Sequence, residues 1–310
     1  MNAPSEEPGN QPKWLFKYVS AERALSCLPE IGDGALRATQ PAGLNDPFEC
    51  STRKIFVERD RREGNLAFSR VLTEIQPLSP VSREDVERAR ERHGSLYMGE
   101  LYRMQLSKRY GIVSFSSNPF HPLMWSHYAQ DGSGFAIGYR AEILKGQLKR
   151  GGIHLRKVRY IDRPEIVMGY RVLSTPESNL VHTMSCKGDH WEYESEWRLI
   201  VELDQTIGTG ERDRHDQPVN LFRIPNHAVD RVYHTERTPP EIISKINIRL
   251  LAPNNRYGPR SATKLVLSED EFRYEEYKAA LPVWGMCSGL RLSAPVLEII
   301  ADLGSDYLRL

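Results

Sequence analysis

The sequence predicts an α+β protein built from many short strands, with one helical insertion. Two observations carry this expectation. Short runs rich in aromatic and β-branched residues recur along the chain, the strongest being ESEWRLIVEL at 194–203. Between about 54 and 110 the character changes to a charged segment, low in β-branched residues, with apolar positions at helical spacing. Residues 1–13 form a polar tail with two acids, and 14–310 is expected to be a single elaborated domain.

In chain order, WLFKYV (14–19) fits a buried strand. Ser20 is a natural N-cap for a helix from Ala21, which Pro29 stops. A short strand at 35–39 leads into a loop, 40–50, whose Asn45, Asp46 and Pro47 are turn formers. Val86, Ala89, Leu96, Met98, Leu101 and Met104 make an apolar stripe over 86–108. Strands follow at 111–117, 134–139 and 154–161, with a helix at 122–129 between the first two. Residues 181–190 read as helix or loop. Further strands fall at 220–224, 229–233 and 263–267. Pro239 and Pro240 open a helix at about 241–246, and Ala294–Leu303 is amphipathic and helical.

Composition excludes several classes. Lys+Arg 42 against Asp+Glu 41 gives a net charge of +1, so no overall basic field advertises nucleic-acid binding. A basic run from Lys145 to Arg163 could still line a local groove. No apolar run reaches the roughly eighteen residues of a membrane span, and no secretory signal opens the chain. Cys27, Cys50, Cys186 and Cys287 are scattered rather than clustered, so reduced thiols, a cytoplasmic location and no structural metal are expected. The phosphate loop, the dinucleotide fingerprint and the GxSxG elbow are absent from the sequence.

The most informative stretch is WEYESEWR, 191–198. Read as a strand, it puts Glu192, Glu194, Glu196 and Arg198 on one side, with Tyr193, Ser195, Trp197 and Leu199 on the packed side. Glu194 and Glu196 would then lie roughly 6–7 Å apart along the strand, close enough to raise one pKa unless a cation intervenes. A solvated face neutralised by Arg198 is the structural alternative. Ser114 and Ser116 share one strand face and can hold a backbone group or a neighbouring carboxylate. In MWSHYA (124–129), Trp125 and Tyr128 read as core packing, and His127 as a general base, a ring partner or a structural residue. In NDPFE (45–49), an Asx-turn that pins the loop explains Asn45 and Asp46.

Taken together, LFKY (15–18), LNDPFE (44–49), SFSS (114–117), PLMWSHYA (122–129), VRYI (158–161), Lys187 and WEYESEWRL (191–199) resemble the bacterial domain-of-unknown-function family 2971. The resemblance spans about 14 to 200. The layout is more distantly similar to ADP-ribosyltransferases, including the DNA-targeting toxin branch. That similarity implies a split mixed sheet and NAD as substrate. It implies Glu196 as the catalytic carboxylate, with Glu194 orienting or deprotonating the acceptor. Lys17 would meet the pyrophosphate, with lysine standing where that superfamily usually has arginine or histidine. Ser114 and Ser116 stand on the second core strand. Tyr18 and Trp125 would stack on the rings of NAD, and His127 and Asn45 complete the cofactor-binding set. The implied activity is transfer of ADP-ribose to a macromolecule, protein or nucleic acid, or hydrolysis of NAD. A toxin or phage-defence role with an antitoxin or immunity partner is implied in the same way. Two alternatives stay open: a metal-dependent nuclease using Asp46, Glu49 and the acids around Glu194, and a non-catalytic binding or regulatory module.

Overall fold

The computed structural model describes residues 12–50, 54–56, 84, 87–88, 91, 97–147, 152–163, 166–168, 176–252 and 258–278. The chain divides into two units, Met1–Glu276 and Tyr277–Leu310, and the architecture below is that of the first. The expected helix at 294–303 and residues 1–11 of the tail lie outside the described residues. So does most of the expected helical insertion.

The order begins β1 (Trp14–Val19), α1 (Ala21–Cys27), β2 (Gly34–Arg37) and β3 (Lys54–Phe56). It continues with α2 (Tyr97–Arg109), β4 (Tyr110–Ser116), α3 (Pro122–Tyr128), β5 (Phe135–Arg140) and α4 (Ala141–Gly146). Next come β6 (Ile153–Lys157), β7 (Arg159–Ile161), β8 (Ile166–Met168), α5 (Pro176–Thr183) and β9 (Cys186–Gly188). A 3₁₀ turn, Asp189–Glu194, precedes β10 (Glu196–Glu202). The rest is β11 (Ile207–Arg212), β12 (Pro218–Ile224), β13 (Val229–His234), α6 (Pro240–Leu250), β14 (Thr263–Leu267) and β15 (Tyr274–Glu276).

The fold is α+β, as the composition of the elements predicts. Eight strands form a mixed sheet in the order β15-β14-β13-β5-β1-β4-β10-β6, antiparallel except where β13 meets β14. A second sheet, β11-β12-β2, leans on the first through the bridge Thr39↔Ile112. Gly111 allows that approach: a Cβ there would sit 2.8 Å from Ala38 Cβ.

Three local differences from the expected elements have physical causes. Lys54–Phe56 is a strand paired in parallel with β8, where a helical segment is expected. The run 154–161 is two strands, because the chain leaves β10 at Lys157 and pairs with β9 from Arg159. WEYESEWR is extended only from Glu196. Before it the chain coils, and Ser195 takes a left-handed φ of 46°.

One face of the large sheet is apolar apart from Lys17, which alternation places there between Leu15 and Val19. Leu15 and Val19 of β1, Val113 and Phe115 of β4, Phe135 and Ile137 of β5, and Trp197, Leu199 and Val201 of β10 pack there under α1 and α6. The opposite face carries two separate apolar clusters. One joins Ile112 and Ile200 to Tyr102 and Leu106 of α2. The other joins Phe16 and Tyr18 to Trp125 of α3. Between them lie Ser114, Ser116, Glu196 and Arg198, placed on one face by the register pairs Glu196↔Ser116 and Arg198↔Ser114. The gap in the apolar face is the candidate site.

Candidate functional site

The site opens where the sheet parts. β1 pairs with β5 all the way from Trp14↔Arg140 to Val19↔Phe135. With β4 it pairs only at Phe16↔Ser116, and beyond that point the two strands diverge. Lys17 reaches over the gap and its Nζ donates to the Ser114 carbonyl at 2.9 Å. The seam holds a cavity of about 230 Å³. Lys17 and Tyr18 of β1, Ser114 and Ser116 of β4, and Glu194 and Glu196 all line it. The loop after β2 adds Asn45 and Glu49, and Tyr128 and Lys187 close the wall.

Three carboxylates and two cations form a buried network beside this cavity. The Lys187 ammonium lies 2.6 Å from Glu194, 2.8 Å from Glu49 and 3.3 Å from Glu196. Arg198 holds Glu196 in a fork, Nε to Oε1 at 2.9 Å and Nη2 to Oε2 at 3.0 Å, and also meets Glu49 at 3.1 Å. All five side chains are at most 5% exposed. Tyr128 donates its hydroxyl to Glu194 at 2.6 Å and accepts from Asn45. Charges this deep survive only when paired, and each of these five has an opposite charge within 2.9 Å.

The network separates the two predicted acids. Burial pushes Glu196 up, but Arg198 and then Lys187 outweigh it and hold its pKa down at about 2. Burial raises Glu194, and the Glu196 charge adds to that against the pull of Lys187. Glu49 is likewise raised by burial. Lys17 is lowered by burial, and the Glu196 charge partly restores it. Glu196 is therefore held as the anion, whereas burial makes Glu194 hold its proton more tightly than a free carboxyl does. Glu194 accepts one donor on each oxygen, from Tyr128 and Lys187, which leaves lone pairs for a ligand.

Seven of the predicted residues line this one cavity: Lys17, Tyr18, Asn45, Ser114, Ser116, Glu194 and Glu196. Their local roles differ from those implied. Ser116 Oγ donates to the Asn118 carbonyl and accepts from the Asn118 amide, so its hydroxyl closes a turn at the strand end. The Ser114 hydroxyl supports Glu196. Tyr18 donates to the Asn118 carbonyl and meets Trp125 edge-on at 5.4 Å. Trp125 itself is fully buried, its Nε1 spent on the Pro119 carbonyl at 2.8 Å, and no ring face is open for stacking. His127 is exposed and contacts Tyr128 and Tyr193 rather than the cavity. Asp46 makes the expected Asx-turn, accepting from the Phe48 amide at 2.8 Å. Asp46 is not among the residues that line the cavity with Glu49 and Glu194.

Sequence reasoning left four contributors out of the catalytic and cofactor sets: Lys187, Glu49, Tyr128 and Arg198, the last read only as neutralising an acidic face. Lys187 sits on a three-residue strand too short to show a pattern. Glu49 is more than 140 positions from the other acids. Tyr128 reads as core. Only the tertiary arrangement brings them together.

A protein-family model described as "Protein of unknown function (DUF2971)" matches residues 124–199, which include Tyr128, Lys187, Glu194, Glu196 and Arg198. No curated protein and no solved structure matches the chain. No helix among the described residues is long and apolar enough to cross a membrane.

Proposed function

We propose that the chain is an ADP-ribosyltransferase-like enzyme, with an ADP-ribosyltransferase-type split sheet, that cleaves the nicotinamide–ribose bond of NAD in the β1/β4 seam. The ADP-ribose would pass to a macromolecular acceptor or to water. The observation that carries this is the convergence on one cavity of Lys17 with Glu194 and Glu196, more than 170 positions away in the chain.

The chemistry asks for two things. The bond breaks through an oxocarbenium-like state, so a fixed negative charge must face the ribose. A second group must take a proton from the acceptor. Two carboxylates whose environments push their pKa values apart divide such work between them. Glu196, ionised throughout the physiological range, supplies the charge. Glu194, with its raised pKa and spare lone pairs, handles the proton and the ribose hydroxyl. Lys17, which lines the cavity and donates to the Ser114 carbonyl, would offer a point charge to a pyrophosphate. At about 230 Å³ the cavity is smaller than the roughly 300–1,000 Å³ of sites that enclose a drug-sized ligand, so it would take the nicotinamide riboside end and leave the adenosine outside.

The test is nicotinamide release from NAD by the full chain, with NAD binding by calorimetry alongside. Wild-type protein should bind NAD and release nicotinamide. Glu194→Gln and Glu196→Gln should each cut release by about 100-fold or more, the range for loss of one preorganised charge or proton-transfer group. Tyr128→Phe, which keeps the carboxylates, should cost less. Wild-type protein that neither binds nor turns over NAD ends the proposal.

A further inference from the structure

Outside the cavity, one cluster of nucleophilic and basic groups is unused by the proposed chemistry. β9 alternates its side chains, so Lys187 enters the buried network while Cys186 turns the other way, to the half-buried outer side. Arg159 is its register partner across the β7–β9 pair. Its guanidinium comes within 3.9 Å of Cys186 Sγ, and His182 Nε2 lies 3.8 Å from the same sulfur. Arg159 and His182 also touch each other, at 3.1 Å. His182 lies in the last turn of α5, four residues before Cys186, and its carbonyl accepts from Cys186 Sγ at 3.3 Å.

The other two described cysteines are different. Cys27 and Cys50 are buried, and burial pushes their thiols up to about 11 and about 12. Burial also works against the Cys186 thiolate, but the hydrogen bond and charge of His182, then Arg159, outweigh it and bring the thiol below its usual value. Thiolates beside cations and open to solvent are the reactive ones, and buried thiols are inert.

We infer that Cys186, set between His182 and Arg159, is a thiol-modification site that reacts with small hydroperoxides. The thiol first gives its proton to solvent. The thiolate sulfur then attacks the hydroxyl oxygen of the hydroperoxide: the S–O bond forms, the O–O bond breaks, and the other oxygen leaves as hydroxide, or as alkoxide from an organic hydroperoxide, and is protonated to water or alcohol. Sulfur is oxidised to the sulfenic acid and the peroxide is reduced, with no further reactant. The reaction does not depend on the cavity's function, so its outcome and that of the NAD experiment are separate.

The experiment treats the reduced full-length chain with hydrogen peroxide at pH 7 in the presence of dimedone, and reads each cysteine by peptide mass spectrometry. Cys186 should be labelled at least tenfold faster than Cys27, Cys50 or free glutathione. His182→Ala and Arg159→Ala, both at exposed positions, should each slow labelling several-fold and raise the pH midpoint of iodoacetamide alkylation at Cys186. Labelling no faster than glutathione, or rates and midpoints unmoved in both variants, overturns the inference.

Discussion

Glu196 and Glu194 are two residues apart, yet their environments send their titrations in opposite directions. Folded Glu196 takes up a proton only near pH 2, whereas the unfolded carboxyl does so near 4.5. Acidification through that window protonates the unfolded chain first, so the stability Glu196 contributes is whole above 4.5 and is lost as pH falls toward 2. Glu194 and Glu49 run the other way. Their raised folded values make their contribution whole below 4.5, and it declines as pH rises. Glu194→Gln should therefore gain stability relative to wild type as pH goes from 4.5 to 7, in urea unfolding at a series of pH values. A difference that stays flat or slopes the other way contradicts the raised value. At pH 7 Glu196→Gln should cost about 3–5 kcal/mol, because it breaks the buried fork and leaves Arg198 paired with Glu49 alone.

At the scale of the elements, the site depends on how closely β2 approaches β4. The loop that carries Asn45 and Glu49 leaves directly from that contact, at Thr39↔Ile112. Gly111 has no room for a side chain, since even a Cβ would meet the Ala38 Cβ at 2.8 Å and its carbonyl at 3.0 Å. Gly111→Val should destabilise the fold by about 1–3 kcal/mol, as overpacking does. For a chain of this size that is a fall in Tm of roughly 2–4 °C per kcal/mol. Because the loop moves with β2, any ligand of the cavity should bind more weakly as well. A variant that loses neither stability nor affinity would show that the close approach does not position the loop. The 3₁₀ turn is the other decisive element. With Ser195 left-handed and its carbonyl accepting from the Ser117 amide at 3.0 Å, the chain enters β10 at an angle that aims Glu194 inward beside Glu196.

For the whole molecule, the layered burial sets which parts open first. β1, β4, β5 and β10 are central in the large sheet and carry most of the apolar face, whereas every residue of β11 is exposed. Amide exchange should be slowest in those four strands and fastest in β11, by several orders of magnitude. Protection in β11 matching that of β10 would mean the hairpin is covered by something the first unit does not supply.

Much of the fold was legible in local pattern. Strand-forming runs such as WLFKYV and WRLIVE, the Ser20 cap and the proline that opens α6 each act over a few residues, and the structure has an element at each. The alternation of Trp197, Leu199 and Val201 against Glu196 and Arg198 likewise follows from strand geometry alone. The sequence by itself also supplied the pair of glutamates, Lys17 and the serines of β4. Where those groups meet was decided by the tertiary structure. The parting of β1 from β4, the entry of Lys187 from a three-residue strand and the arrival of Glu49 from a distant loop are long-range events. No local periodicity encodes them, because each depends on which strands pair and where the pairing stops. The same holds for the protonation of the acids, which is set by buried partners far away in the chain.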